Sequence, residues 1–161
     1  MNEISVSTEI EAAVEACFDA SRDIDLHQQS VEHTGERAIE GVVSGLIGLG
    51  ESVTWQARHF GIRWRLRSEI TVFEPPSYFQ DTMTEGPFGT FQHDHHFEDL
   101  GDGRTLMCDV VRFESPGGPI GRIVDRWVLG PYLRRFLAIR GRSLKLTLES
   151  PSALPLIGSG R

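Results

Sequence analysis

Lysine is almost missing: Lys145 is the only one, and arginine supplies the rest of the 16 basic residues. Against 23 acidic residues this leaves a net charge of −7, which argues against nucleic acid or an anionic membrane as the main partner. Cysteine is scarce as well. Cys17 and Cys108 stand far apart with no C-x-x-C. That excludes a zinc knuckle or thioredoxin-type motif and reads as two buried thiols in a reducing compartment. No apolar run approaches ~20 residues and no basic-then-apolar leader opens the chain, so a soluble cytoplasmic protein is expected. A G-x-S-x-G elbow and a phosphate loop are both lacking, which leaves hydrolase and nucleotide chemistry unsupported. No internal repeat is visible.

What is there is alternation, then one long helical pattern. The 161 residues, 39% apolar and 24% charged, suffice for one globular domain with a full core. Glu3 to Ile10 alternates as a half-buried strand. Two short helices follow, over Glu11–Ala20 and from Asp23, a good N-cap, towards Ser30. Further strands are predicted at Arg37–Ile47, Ser52–Phe60, Ile62–Phe73, Tyr78–Thr84, Thr90–Asp99 and Arg104–Phe113. A two-residue turn at Phe60-Gly61 sets His59 opposite Ile62, Ala57 opposite Trp64 and Trp55 opposite Leu66. From Pro119, a good first helical position, Ile120, Ile123, Val124, Trp127 and Val128 recur at helical steps, with Asp125 and Arg126 on the other side. Gly130-Pro131 is expected to kink or break this helix. The stripe resumes through Leu133, Phe136, Leu137, Leu144 and Leu148. A stripe this long needs a long apolar surface, so the expected fold is α+β: a curved seven-stranded antiparallel sheet wrapped around a C-terminal helix. The domain is expected over 1–149, with a loosely held tail over 150–161.

This order of elements resembles the helix-grip fold of the START-domain and birch-pollen-allergen superfamily. More narrowly, the chain looks like a bacterial polyketide cyclase/dehydrase-type (SRPBCC) member. Four stretches carry the likeness: Arg22-Asp23-Ile24-Asp25-Leu26-His27; Ser44 to Gly61; Gly86-Pro87-Phe88; and Phe91-Gln92-His93-Asp94-His95-His96-Phe97. The resemblance covers roughly residues 1–148 and implies a hydrophobic cavity between sheet and helix. It implies no metal or other cofactor and brings over no catalytic residue.

The residues themselves offer one oddity: polar side chains on apolar strand faces. His59, Asp81, His93, His95 and Asp109 share faces with Trp55, Trp64, Met83, Phe91 and Phe113. A three-residue turn at Gly101-Asp102-Gly103 sets His95 opposite Asp109, and the neighbouring register sets Asp81 opposite His93. A buried carboxylate needs a donor, and histidine is at hand. A ligand site is therefore expected from Trp55, His59, Trp64, Asp81, Met83, His93, His95, Asp109, Phe113 and Trp127. The leading reading is a carrier of a small hydrophobic or amphipathic molecule, lipid- or polyketide-like. The alternatives are an aromatase/cyclase or dehydratase using a His-Asp pair, and an interaction module whose interior is filled by side chains. His93-x-His95 also has the spacing by which a strand presents two metal ligands, though no metal is expected.

Overall fold

The computed structural model describes residues 1–150. Seven strands form one antiparallel sheet in the order β1-β7-β6-β5-β4-β3-β2. They are β1 (Asn2–Ile10), β2 (Arg37–Gly41), β3 (Ser52–His59), β4 (Ile62–Glu74), β5 (Tyr78–Glu85), β6 (Thr90–Gly101) and β7 (Arg104–Glu114). Helices α1 (Val14–Ser21) and α2 (Ile24–Ser30) stand between β1 and β2. After β7 come α3 (Gly118–Val124), a π turn at Asp125–Leu129 and α4 (Gly130–Glu149). This is the helix-grip arrangement. The tail expected beyond Ser150 lies outside the described residues.

The hairpin register is the one the Phe60-Gly61 turn dictates. His59 faces Ile62, Ala57 faces Trp64 and Trp55 faces Leu66, and both turn residues have positive φ, 54° and 74°, as a two-residue hairpin turn requires. The sheet's inner face carries the core. Phe18 of α1, only 2% exposed, sits edge-on to Phe73, Phe79 and Phe97 with ring centroids 5.4, 5.4 and 5.5 Å away, and so closes one end of the grip. α4 lies hard against β1: a Cβ on Gly141 would come 2.5 Å from Thr8 Oγ1, so a larger residue would require Thr8 to move.

The second strand is shorter than the sequence pattern suggests. It ends at Gly41, not Ile47, because Gly41 and Gly45 take positive φ, which turns the chain out of the sheet. Residues 42–51 form a loop tied to the α1–α2 junction. Ile24 N–H donates to Gly45 O at 2.9 Å, Gly45 N–H to Asp25 Oδ2 at 2.9 Å, and Arg22 Nη1 to Ile47 O at 3.0 Å.

The C-terminal helix differs more. Gly130-Pro131 neither breaks nor ends it. Pro131 has no N–H for the carbonyl four residues back, and the chain absorbs this by widening one turn. Gly130 N–H reaches Asp125 O, five residues back. The extra residue shifts the face that each side chain presents. Asp125, expected outside, is buried and accepts from Asn2 Nδ2 at 2.9 Å and Ser115 N–H at 3.0 Å. Trp127, expected on the sheet side, is 71% exposed, with Arg126 over its ring. Ile120 and Ile123 are exposed with it. Trp127→Ala should therefore change the unfolding free energy by no more than about 0.5 kcal/mol in chemical denaturation. A loss of several kcal/mol would mean the indole is packed inside after all.

The outer face holds a network that the alternation hides. Asp94 is buried. It accepts from Tyr78 Oη at 2.6 Å and Gln80 Nε2 at 2.7 Å, and is paired with Arg112. Burial and the Asp94 bond push the Tyr78 phenol up to about 12. A group raised in the folded state stabilises below its unfolded value, and that stability drains as pH rises through the folded one. The Tyr78 contribution should thus be lost between about pH 10, the ordinary tyrosine value, and about pH 12. Asp94→Asn should narrow this window in an ultraviolet tyrosinate titration; an unchanged curve would rule out the coupling.

Candidate functional site

Between the inner face of the sheet and the C-terminal helix lies a pocket of about 470 Å³. Trp55, Ala57 and His59 of β3, Trp64 and Leu66 of β4, and Leu133, Phe136 and Leu137 of α4 supply much of its wall. The rim is apolar and exposed: Phe60 from the β3–β4 turn, and Ile120 and Val128 from the helical segment. Alternation on β3 and β4 turns every second side chain inward.

One side of the wall is charged. Asp81 of β5, His93 and His95 of β6 and Asp109 of β7 sit side by side on three neighbouring strands, with Asp81 opposite His93 and His95 opposite Asp109. The shortest bonds run along the diagonals. His93 Nε2 lies 2.8 Å from Asp109 Oδ1, and His95 Nε2 lies 2.8 Å from Asp81 Oδ2. The direct pair, His95 Nδ1 to Asp109 Oδ1, is 3.1 Å apart but poorly aligned, which leaves that nitrogen without a good hydrogen bond. Arg140 of α4, 2% exposed, completes the group: Nη1 lies 3.3 Å from Asp109 Oδ1, and Nη2 donates to Ser21 O at 2.9 Å.

The charges balance. Burial pushes both carboxyls up, but for Asp81 the His95 bond and the nearby histidine charges win, and its value is lowered. Asp109 is held well below the carboxylate range, against burial, by the Arg140 charge and the two histidine bonds. Burial and the neighbouring His95 lower His93. For His95 burial acts downward too, but the bonds to Asp109 and Asp81 win and raise it. These directions favour a proton on His95 over His93, and with it there two carboxylates, one guanidinium and one imidazolium sum to zero. A neutral total suits a cluster in which His95, Asp109 and Arg140 are buried.

Two smaller pairs stand elsewhere on the wall. The Tyr132 hydroxyl meets His59 Nδ1 at 2.5 Å. Burial raises Tyr132 and lowers His59, which favours the neutral form of both. His27 Nε2 lies 2.5 Å from Glu36 Oε1, with the His27 ring on Trp55 at 4.3 Å.

Residues 1–149 match the family described as polyketide cyclase/dehydrase and lipid transport. The chain belongs to this family. Solved structures agree on the fold. TTHA0849 from Thermus thermophilus is 15% identical, with a TM-score of 0.71 over 92% of this chain and 100% of that one. A START superfamily protein from Mycobacterium smegmatis is 15% identical, with a TM-score of 0.69 over 91% and 97%. Major latex-like protein 151 from Panax ginseng is 15% identical, with a TM-score of 0.63 over 92% and 98%. No curated protein matches the chain. Among the described residues, no helix is long and apolar enough to cross a membrane.

Of the ten residues predicted for the site of this family member, Trp55, His59, Trp64, Asp81 and His93 line the pocket. His95 and Asp109 lie buried behind them in the charged cluster. Phe113 does not face the pocket; it is fully buried in a core cluster with Ile4, Val111 and Leu137. Met83 is not on the wall either, because its side chain covers Gly86, where a Cβ would lie 2.5 Å from its sulfur. Trp127 faces away from the pocket because the π turn rotates it outward. Arg140 and Tyr132 were not among the ten. Arg140 had a signal: it stands on the apolar stripe between Leu137 and Leu144, where a charge needs a buried partner. Tyr132 had none, since only the folded helix brings it to His59. Cys17 is free and buried in α1, whereas Cys108 is free and half-buried.

Proposed function

We propose that this protein binds one small, largely apolar molecule in the pocket and holds a single polar group of that molecule, a hydroxyl or carbonyl, at Asp81 and His93. The observation that carries the reading is the distribution of polarity: an apolar pocket of about 470 Å³ whose charged cluster reaches the surface at Asp81 and His93. Pockets built this way orient a ligand by a few convergent polar groups and bind it by apolar contact. The family description, which includes lipid transport, supports the same class of ligand. Two free thiols fit a reducing compartment such as the cytoplasm, and the net charge of −7 speaks against a nucleic-acid partner.

Ala57 offers a clean test, because its side chain is buried on the pocket wall. Ala57→Phe should fill the space without unfolding the protein. Binding of an apolar fluorescent probe, read by titration, should fall at least tenfold. Equal affinity in the two proteins, both folded by circular dichroism, would sink the reading. Acid–base chemistry on the bound molecule is the second reading, favoured by a neutral His93 oriented through Nε2 by Asp109, as a general base is. It requires a product of changed structure; recovery of the bound molecule unchanged leaves carriage alone. A filled interior fits a pocket of this volume poorly.

A further inference from the structure

We propose that Asp81, His93 and His95 form a divalent transition-metal site on the pocket wall, with its open coordination positions turned towards the bound molecule. The ligand-binding reading matters here only for what the metal would touch; metal binding itself stands without it.

The donor atoms are already gathered. Asp81 Oδ2 lies 2.8 Å from His95 Nε2 and 3.9 Å from His93 Nδ1, and all three donors fall within 4.8 Å of one another. Ligands roughly 2.0–2.2 Å from one tetrahedral ion are about 3.3 Å apart, a value the two distances bracket. On the far side, the other nitrogen of each ring lies near one carboxylate, and that of His93 is hydrogen-bonded to it. His93 Nε2 and His95 Nδ1 both turn to Asp109 Oδ1, at 2.8 and 3.1 Å, and Arg140 holds Asp109 in turn. The carboxylate bonded behind His93 fixes that ring and leaves its opposite nitrogen free for a metal, while His95 is held by packing. Both rings stand on one strand, His95 lies flat on Phe79 at 4.1 Å, and the two imidazoles are 3.7 Å apart. The set is thus held by sheet and packing, not by loops.

Charge points the same way. Two carboxylates and one guanidinium leave one negative charge for a divalent ion to meet. The cluster would then carry one net positive charge, so the ligand head group it favours is an anion or a group that deprotonates on coordination, such as a carboxylate, phenol or enol. Two imidazoles and one carboxylate suit Zn²⁺, Fe²⁺ or Co²⁺ rather than Mg²⁺ or Ca²⁺. Three protein ligands, two of them on the pocket wall, leave room for a ligand oxygen on the ion.

Titration calorimetry of the chelator-stripped full chain with Zn²⁺ tests this directly. One ion should bind per chain, seen as a saturating heat with a stoichiometry near one. Co²⁺ in place of Zn²⁺ should give visible d–d absorption. His93→Ala and Asp81→Ala should each weaken Zn²⁺ binding at least 100-fold, and Asp109→Asn by about 10- to 100-fold. His96→Ala, exposed on the outer face of the same strand, should leave it unchanged. His93→Gln replaces His93→Ala if the latter fails to fold. No binding by the folded parent, or equal binding in the His93 and Asp81 variants, overturns the site. An apolar probe that binds the stripped protein while Zn²⁺ does not would defeat the metal site alone. Zn²⁺ bound at these residues without probe binding would defeat the carrier reading alone.

Discussion

Arg140→Met should lower the unfolding free energy by about 3–5 kcal/mol, the usual loss when one partner of a buried ion pair is removed and the other stays charged. Arg140 is 2% exposed, and its guanidinium joins three elements: α4, which carries it, Asp109 on β7, and the carbonyl of Ser21 at the end of α1. Methionine fills much of the volume but leaves the two carboxylates of the cluster facing one imidazolium. Arg140→Lys separates charge from geometry. A lysine restores a cation near Asp109 but not the planar fork that also reaches Ser21 O, so it should recover part of the loss. Urea denaturation of the three proteins at one pH gives the ranking parent, lysine, methionine. A methionine variant as stable as the parent would show that the cluster reorganises without Arg140, and that its charges do not balance through the guanidinium.

Phe18→Ala should cost about as much, ~3–5 kcal/mol, for a different reason. Phe18 meets three phenylalanines edge-on. Removing the ring leaves a cavity that Phe73, Phe79 and Phe97 cannot close, because each is fixed on a strand. Phe79 is also the ring on which His95 lies, so the change should reach the charged cluster. Along with the lower denaturation midpoint, the His95 ring resonances should shift in an NMR spectrum of the folded variant. Phe18→Leu should keep most of the stability. A loss below about 1 kcal/mol for alanine would mean that α1 is not a fixed wall of the core.

The cross-strand neighbours within the hairpins were legible in the sequence because they follow from local rules, whereas the pairing of β1 with β7 is long-range. The Phe60-Gly61 turn sets His59 opposite Ile62. The expected neighbours His95–Asp109 and Asp81–His93 also hold, although Gly101, not Leu100, pairs with Arg104 and a register shift after Asp99 restores the expected alignment. Which of those neighbours bond was not legible. The imidazoles reach along the strand to the diagonal carboxylate, and that choice depends on ring rotamers set by Phe79 and Arg140. The α3 face misled for the same kind of reason. A helical wheel assumes one rotation per residue, and the π turn before Pro131 breaks that assumption, carrying Asp125 inward and leaving Trp127 exposed.

By itself, then, the sequence determined the architecture: alternating strands, two short helices, and one long amphipathic helix that needs a sheet to cover it. It also determined that charged side chains would share the inner face with aromatic ones. The tertiary structure alone decided how these residues meet. Burying Asp81 and Asp109 under α4 is favourable only with Arg140 and a cation on the histidines beside them, and Arg140 lies 31 residues from Asp109 along the chain. Local propensity carries no information across that separation. Only the seating of α4 against β1 and α1 brings the guanidinium to Asp109 and Ser21.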